Sequence, residues 1–167
     1  MINYRLGNLN ELDKLKAFLF HHGANDWNHL PVDGVDKEFA LIAAGEASAL
    51  IAYREKQPLG LAIFYHPHAL PKHYFKFSQA RSAIYIAEVV VDKEYSGRGI
   101  GTRLLENIIQ RAADFGAEIL LVDRHSENIG SAGMMKKAGF KELATFIDFD
   151  RRDVGNRSTT VMSFDLI

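Results

Sequence analysis

At 167 residues and 47% hydrophobic content, the chain suits one domain with a single sizeable core and is too apolar to be disordered. A formal charge of −1 argues against a general nucleic-acid binder, which needs a basic surface. With no cysteine, disulfides, thiolate metal sites and a cysteine nucleophile are excluded.

The opening MINYRLGNLNELDK has no signal-like apolar region, and no apolar run approaches the ~20 residues of a membrane span. A soluble, cytoplasmic protein with no membrane partner is expected. Ile2 to Leu6 reads as a short strand. Asn8 or Asn10 caps a helix running to about His22, with Leu12, Leu15 and Leu19 on one face and Gly23 as its stop. A loop over residues 23–36 follows, then a helix over Lys37 to Ala44. SALIAYRE and PLGLAIFYH form a hairpin around Glu55 to Gln57. After a long connection over residues 67–81, SAIYIAEVVVD is a strand. A helix with Leu104, Leu105, Ile108, Ile109, Ala112 and Phe115 on one face then runs to Gly116. AEILLVD is a buried strand, Ser131 to Ala138 a short helix, and KELATFIDFD and STTVMSFDL the last two strands.

Strand, helix, strand over residues 82–123 forms a crossover unit, so those two strands can lie parallel. The rest reads as antiparallel. The expectation is a single α/β domain over residues 1–167, with a mixed sheet of about seven strands flanked by about four helices. Strand edges near residues 158–166 could pair two chains into a homodimer.

Between the crossover strand and its helix lies YSGRGIG. Gly97, Gly99 and Gly101 let the backbone turn sharply and let a ligand approach without Cβ interference. The free N–H groups at the helix start near Thr102, with the helix dipole, favour an anion there. Arg98 and Arg103 add cationic reach. The product is a pyrophosphate cradle. A Walker loop would end in Gly-Lys-Ser/Thr, which is missing. A dinucleotide fingerprint is G-x-G-x-x-G after the first strand, whereas this G-x-G-x-G sits mid-chain. A coenzyme A site is the third candidate.

AEVVVDKEYSGRGIGTRLLENII resembles motif A of the GNAT acyltransferase superfamily, Q/R-x-x-G-x-G/A, falling on Ser96, Gly97, Arg98, Gly99, Ile100 and Gly101. NIGSAGMMKKAGF resembles the next family motif, with Asn128 opening a short helix that ends in Gly139 and Phe140. The resemblance implies a GNAT fold. It implies pantetheine bonding to the backbone of Val89, Val90 and Val91, a pyrophosphate held by amides from Gly97 to Thr102, and Asn128 near the thioester. The acyl donor would lie between the strands ending near Asp92 and Asp123, and a primary amine would attack the thioester directly. Two positions depart from the pattern. Ser96 stands where Gln or Arg is usual. Met135 stands where many members carry a tyrosine that protonates the leaving thiolate, and a thioether donates no proton.

Glu88 interrupts the apolar strand, and period two places it on the face of Ile84, Ile86 and Val90. Burial would raise its pKa towards neutrality, which suits a general base. The family often places a glutamate on this strand, acting through water. The competing reading is a structural carboxylate with a basic partner. His125 and Tyr85 are further acid or base candidates, the first against a plain loop histidine and the second against a packed strand aromatic. His66, His68 and His73 cluster, but without carboxylates they make a weak metal site, and no metal is expected.

In the family, the loops at 23–38 and 67–81 shape the acceptor pocket. Asp26 and Trp27, with Asp33 and Asp36, suit a cationic amine. His73 and Tyr74, with Lys72, Lys76 and Arg81, suit a carboxylate. Their alternative is solvation of loops. The resemblance therefore implies an N-acetyltransferase moving acetyl from acetyl-CoA to a primary amine of a small molecule or peptide. The alternative is a catalytically silent acyl-CoA sensor.

Overall fold

A computed structural model describes residues 1–28 and 30–167. His29, part of the expected acceptor loop, lies outside the described residues. The elements in order are β1 (Asn3–Leu6), α1 (Leu12–Gly23), α2 (Val32–Ala43), β2 (Ala47–Arg54), β3 (Gln57–Tyr65), β4 (Ala83–Val91), α3 (Ile100–Ala112), β5 (Ile119–His125), α4 (Ile129–Lys137), β6 (Lys141–Ile147) and β7 (Ser158–Asp165). The seven strands form one sheet in the order β1-β2-β3-β4-β5-β7-β6. β4 and β5 are parallel, joined through α3, and every other neighbouring pair is antiparallel. The mixed α/β sheet expected from the sequence is therefore what forms.

Three packed regions hold the sheet. Leu104, Leu105 and Ile108 of α3 bury against Leu50, Phe64, Ile84 and Ile86 on one face. Leu15 and Leu19 of α1, with Val35, Phe39 and Ile42 of α2, bury against Ile51, Leu61, Ile63 and Val90 on the other. Tyr74, from the connection between β3 and β4, packs with Tyr85, Leu121 and Val161 in a third cluster. Each fully buried aliphatic side chain contributes about 1.5–3 kcal/mol, so these faces supply most of the drive to fold.

Several local expectations change. α2 starts at Val32, not Lys37. Pro31 caps it and accepts a bond from Val35 N at 3.0 Å. Asp33-Gly34 reads as a turn in isolation, but buried Val35, Phe39 and Ile42 pull these residues into the helix. The connection over 67–81 contains two 3₁₀ segments, Pro67–Ala69 and Lys72–Phe77. β7 lies between β5 and β6, so residues 158–165 form no free edge. The outer strands are β1 and β6.

The change with most bearing on chemistry is in β4. Ile63 pairs with Glu88, but Phe64 pairs with Ile86, so Ala87 is an extra, unpaired residue. This bulge reverses the alternation. Ile84 and Ile86 face α3, whereas Val90 faces α1 and α2. Glu88 shares the face of Val90 alone, contrary to simple period two.

A second irregularity lies beside it. β4 and β5 pair only from Ala83↔Ile119 to Ile86↔Val122. Beyond that point β4 runs on to Val91 beside β3, while β5 runs on to His125 beside β7. The two strands separate and open a slot in the middle of the sheet.

Candidate active site

The slot widens into a cleft of about 700 Å³, bordered by α2, β4, β5, α4 and the loop after β6. Just past Ser96, which lines the cleft, Gly97 and Gly99 have φ of +78° and +80°, the left-handed region that side chains with a Cβ rarely adopt. Open space surrounds both, so a Cβ would project into the approach to the helix rather than into protein. Gly99 is the N-cap of α3, and the helical bonding begins with Arg103 N to Gly99 O at 3.0 Å. The amides of Ile100, Gly101 and Thr102 precede that first bond and are left for an anion. Gly101 is small for another reason: the Met134 sulfur of α4 sits where its Cβ would go. Arg98 lies over the Tyr95 ring, 4.9 Å from its centroid, and Arg54 Nη2 donates to Tyr95 Oη at 2.8 Å.

Ser96 borders the cleft, but its hydroxyl donates back to Lys93 O at 3.1 Å. Val89, Val90 and Val91 border it too, on the stretch of β4 past the last β5 pairing. Asn128 also lines it, with its side chain occupied as the cap of α4: Oδ1 accepts from Ser131 N at 3.1 Å. Met135 is 3% exposed, packed in the core beside α3, and is among the residues that line the cleft.

Deeper in, Glu88 of β4 and Glu38 of α2 both line the cleft, within hydrogen-bonding reach of each other. Burial raises both carboxyls, Glu38 to about 7 and Glu88 well above the ordinary range, with the Glu38 charge adding to the effect on Glu88. Tyr65 stands nearby, its phenol raised by burial and by both carboxylates. Neither Glu38 nor Tyr65 is among the candidates that the sequence suggests. Nothing local marks either, because a helix and a hairpin strand bring them to Glu88.

Asp123, at the point where β5 leaves β4, organises the opposite wall. Its Oδ2 accepts from Tyr85 Oη at 2.9 Å, from Tyr74 Oη and from Arg151 Nη1 at 2.9 Å. Its Oδ1 accepts from Arg151 Nη2 at 3.2 Å and lies 3.6 Å from Arg152 Nη2. Burial alone would raise this carboxyl, but the Arg151 charge and these bonds outweigh it and hold it below the ordinary range. Tyr85 lines the cleft with its proton directed at Asp123, and burial plus that carboxylate push its phenol well above its usual pKa. Tyr74 is 1% exposed and stacks on Tyr85 at 4.7 Å, beneath the cleft wall rather than on it. Asp123, Arg151 and Arg152 are likewise not among the candidates that the sequence suggests. The dense charge of RRDVGNR is the trace of the two arginines in the sequence, and Asp123 stands out there only as a strand end.

The remaining candidates separate. His125 is buried: Nε2 donates to Val154 O at 2.7 Å and Nδ1 accepts from Glu127 N at 3.1 Å. Both nitrogens are thus engaged with backbone, and the ring lies behind Trp27 at 4.8 Å rather than on the cleft. Trp27 and His73 line the cleft, whereas Asp26 is exposed outside it. His66 bonds Ser48 Oγ at 2.7 Å and stacks on Phe115. Among the described residues no three His, Asp or Glu side chains converge to hold a metal, and no helix is long and apolar enough to cross a membrane.

The fold recurs in solved structures of low sequence identity. A polyamine N-acetyltransferase from Drosophila melanogaster, which forms N-acetylagmatine, superposes with a TM-score of 0.76 at 17% identity, covering 99% of this chain and 100% of that one. A putative acetyltransferase, yncA of Salmonella typhimurium, determined with acetyl-CoA, gives 0.74 at 20% identity over 99% and 94%. A Bacillus subtilis acetyltransferase in complex with CoA gives 0.72 at 18% identity over 100% of both chains. No curated protein matches the sequence significantly. The profile of the acetyltransferase (GNAT) family matches residues 12–140, which is most of the chain and includes both glycine-bearing motifs, so the protein belongs to the GNAT family of acyltransferases.

Proposed function

We propose that the protein is an N-acetyltransferase that moves an acetyl group from acetyl-CoA directly to a primary amine of a small molecule or peptide. The observation that carries this reading is the slot between β4 and β5, which runs from Ser96, the residue before the glycine turn at the start of α3, to the Glu38 and Glu88 carboxyls. The residues fit the cofactor. Positive-φ Gly97 and Gly99 leave open space at a helix N-terminus, and the strand past Ile86 has a side that β5 does not cover. When bound, acetyl-CoA supplies a thioester whose acyl carbon an amine can attack.

The chain's own residues then have distinct tasks. The amides of Ile100 to Thr102 hold phosphate charge, and the backbone of Val89 to Val91 lies along the slot for amide bonding. Glu88 takes a proton from the acceptor ammonium, since only the neutral amine has a free electron pair. Trp27 and His73 border the acceptor end. Asp123 and Arg151 hold Tyr85 and the wall in place. Two candidate acids are engaged elsewhere: the Tyr85 proton is directed at Asp123 and both His125 nitrogens face backbone. A thiolate is a stable enough leaving group to depart first and be protonated afterwards.

A silent acyl-CoA sensor is less well supported, because a binder gains nothing from desolvated carboxyls beside the thioester end of the slot. Calorimetric titration tests the reading. Acetyl-CoA and desulfo-CoA should bind and ATP should not, and the acetylated amine should be identified by mass. Equal affinity for ATP would overturn it.

A further inference from the structure

We propose that Glu38 of α2 is a positioning residue that shares one proton with Glu88, so that the base in the cleft is a carboxyl pair and not a lone carboxylate. The inference rests on the transferase reading for its purpose, but the pair itself is a property of the free protein.

The geometry carries it. Both carboxyls line the cleft, Glu88 from the bulged strand and Glu38 from the acceptor-side helix, within hydrogen-bonding reach of each other. Glu38 Oε2 is shut off from water and has no hydrogen-bond donor among the described residues. No ion pair among the described residues reaches either carboxyl. The charged and titratable groups that act most on the pair are Tyr65 from β3, Asp123 from β5 and Arg151 from the loop after β6; Lys37, His73, Asp150, Arg152 and Asp153 line the same cleft. Tyr65 is neutral at working pH. Arg151 is committed to Asp123 through two hydrogen bonds, so its charge is already compensated.

Two carboxylates in contact, without a cation or enough donors, cannot both stay ionised. The arrangement is satisfied by one proton between them. It then donates from one carboxyl to the other and fixes the orientation of both. The pair as a whole carries a single negative charge and has room for one more proton. An acceptor ammonium fills that room: its N–H bond breaks, an O–H bond forms on the pair, and the pair becomes neutral as the amine becomes nucleophilic. Glu38 therefore sets the pH range over which Glu88 can act without itself touching the reacting nitrogen. Because Glu38 sits on α2, which borders the acceptor end of the cleft, the base is completed only when that helix is in place.

Infrared difference spectroscopy on protein carrying ¹³C-labelled glutamate tests the pair directly. Wild-type protein should keep a protonated glutamate C=O band at neutral pH, and that band should vanish in both Glu38→Gln and Glu88→Gln. In Glu38→Gln, the amide donates to Glu88 and the neighbouring charge is gone, so Glu88 should ionise at least about one pH unit lower. The acid limb of the pH–rate profile should move down with it, and Glu38→Asp should restore the band. A wild-type spectrum with no protonated glutamate at neutral pH would overturn the proposal. So would a band that survives Glu38→Gln, or a lowered rate with an unmoved acid limb. If no amine supports turnover, the spectrum alone decides the pair, and that failure falls on the transferase reading.

Discussion

Asp123→Asn removes one charge and almost no volume from the wall of the cleft. Asp123 accepts from two phenols and from both Arg151 nitrogens, and it is the nearest anion to Arg152. In the variant the phenols can still donate to the amide oxygen, but the amide NH₂ replaces the second acceptor and faces Arg151. Arg151 then keeps an ion pair only with Asp148, 3.9 Å away, and Arg152 keeps none among the described residues. Removing one member of a buried ion pair typically costs about 3–5 kcal/mol. The Arg151 side chain is 37% exposed, so water screens part of this, and the retained phenol bonds reduce it further. A loss of about 2–3 kcal/mol is expected. Urea unfolding at neutral pH should show it as a midpoint lowered by about 1 M or more at a slope of about 2 kcal/mol/M. The sign with pH is also set. The folded carboxyl titrates below its unfolded value, so its stabilisation is fully present above the unfolded pKa and is lost as pH falls through the folded one. The gap between wild type and variant should therefore close only in strong acid. A loss under about 0.5 kcal/mol at neutral pH would refute the argument that this carboxylate holds the wall together.

Gly99→Asp places a negative side chain at the N-cap of α3, in space that is otherwise open. Aspartate tolerates the left-handed region better than most residues, so stability should change by no more than about 1–2 kcal/mol while CoA binding is lost in calorimetry. Glu88→Gln should lower the acetyl-transfer rate by about 10²–10⁴-fold and leave CoA affinity intact. In the wild-type enzyme, activity should rise with pH through about 7, because the carboxyl pair gains its working charge there. A flat profile from pH 5 to 8 would remove the pair from the chemistry. Tyr85→Phe should cost less than about tenfold in kcat, since its proton is directed at Asp123. A loss of a hundredfold would restore Tyr85 as the general acid.

The β-α-β unit around the glycines was legible because its signals are local. An apolar run, helical periodicity and a glycine stop all lie within one stretch, and β4, α3 and β5 form close to where the pattern puts them. The start of α2 was not legible, because Asp33-Gly34 has turn chemistry and only tertiary burial of Val35 makes it helical. The bulge at Ala87 leaves no mark in an alternating strand, so Glu88 was assigned to the wrong face although its residue type stood out. Glu38, Asp123 and Arg151 matter through convergence from distant segments, which no spacing rule encodes. β7 looked like a terminal edge because chain order was taken for spatial order. In fact, β6 folds outside it.

Transfer to an amine should appear as amine-dependent release of the CoA thiol from acetyl-CoA. Wild-type protein, assayed above neutral pH over a panel of primary amines, should release thiol in equal amount to acetylated product with at least one amine. Glu88→Gln should suppress that release while still binding acetyl-CoA. Tight acetyl-CoA binding with no thiol release above the buffer rate on any amine would contradict the account and leave the protein an acyl-CoA sensor built on the same fold.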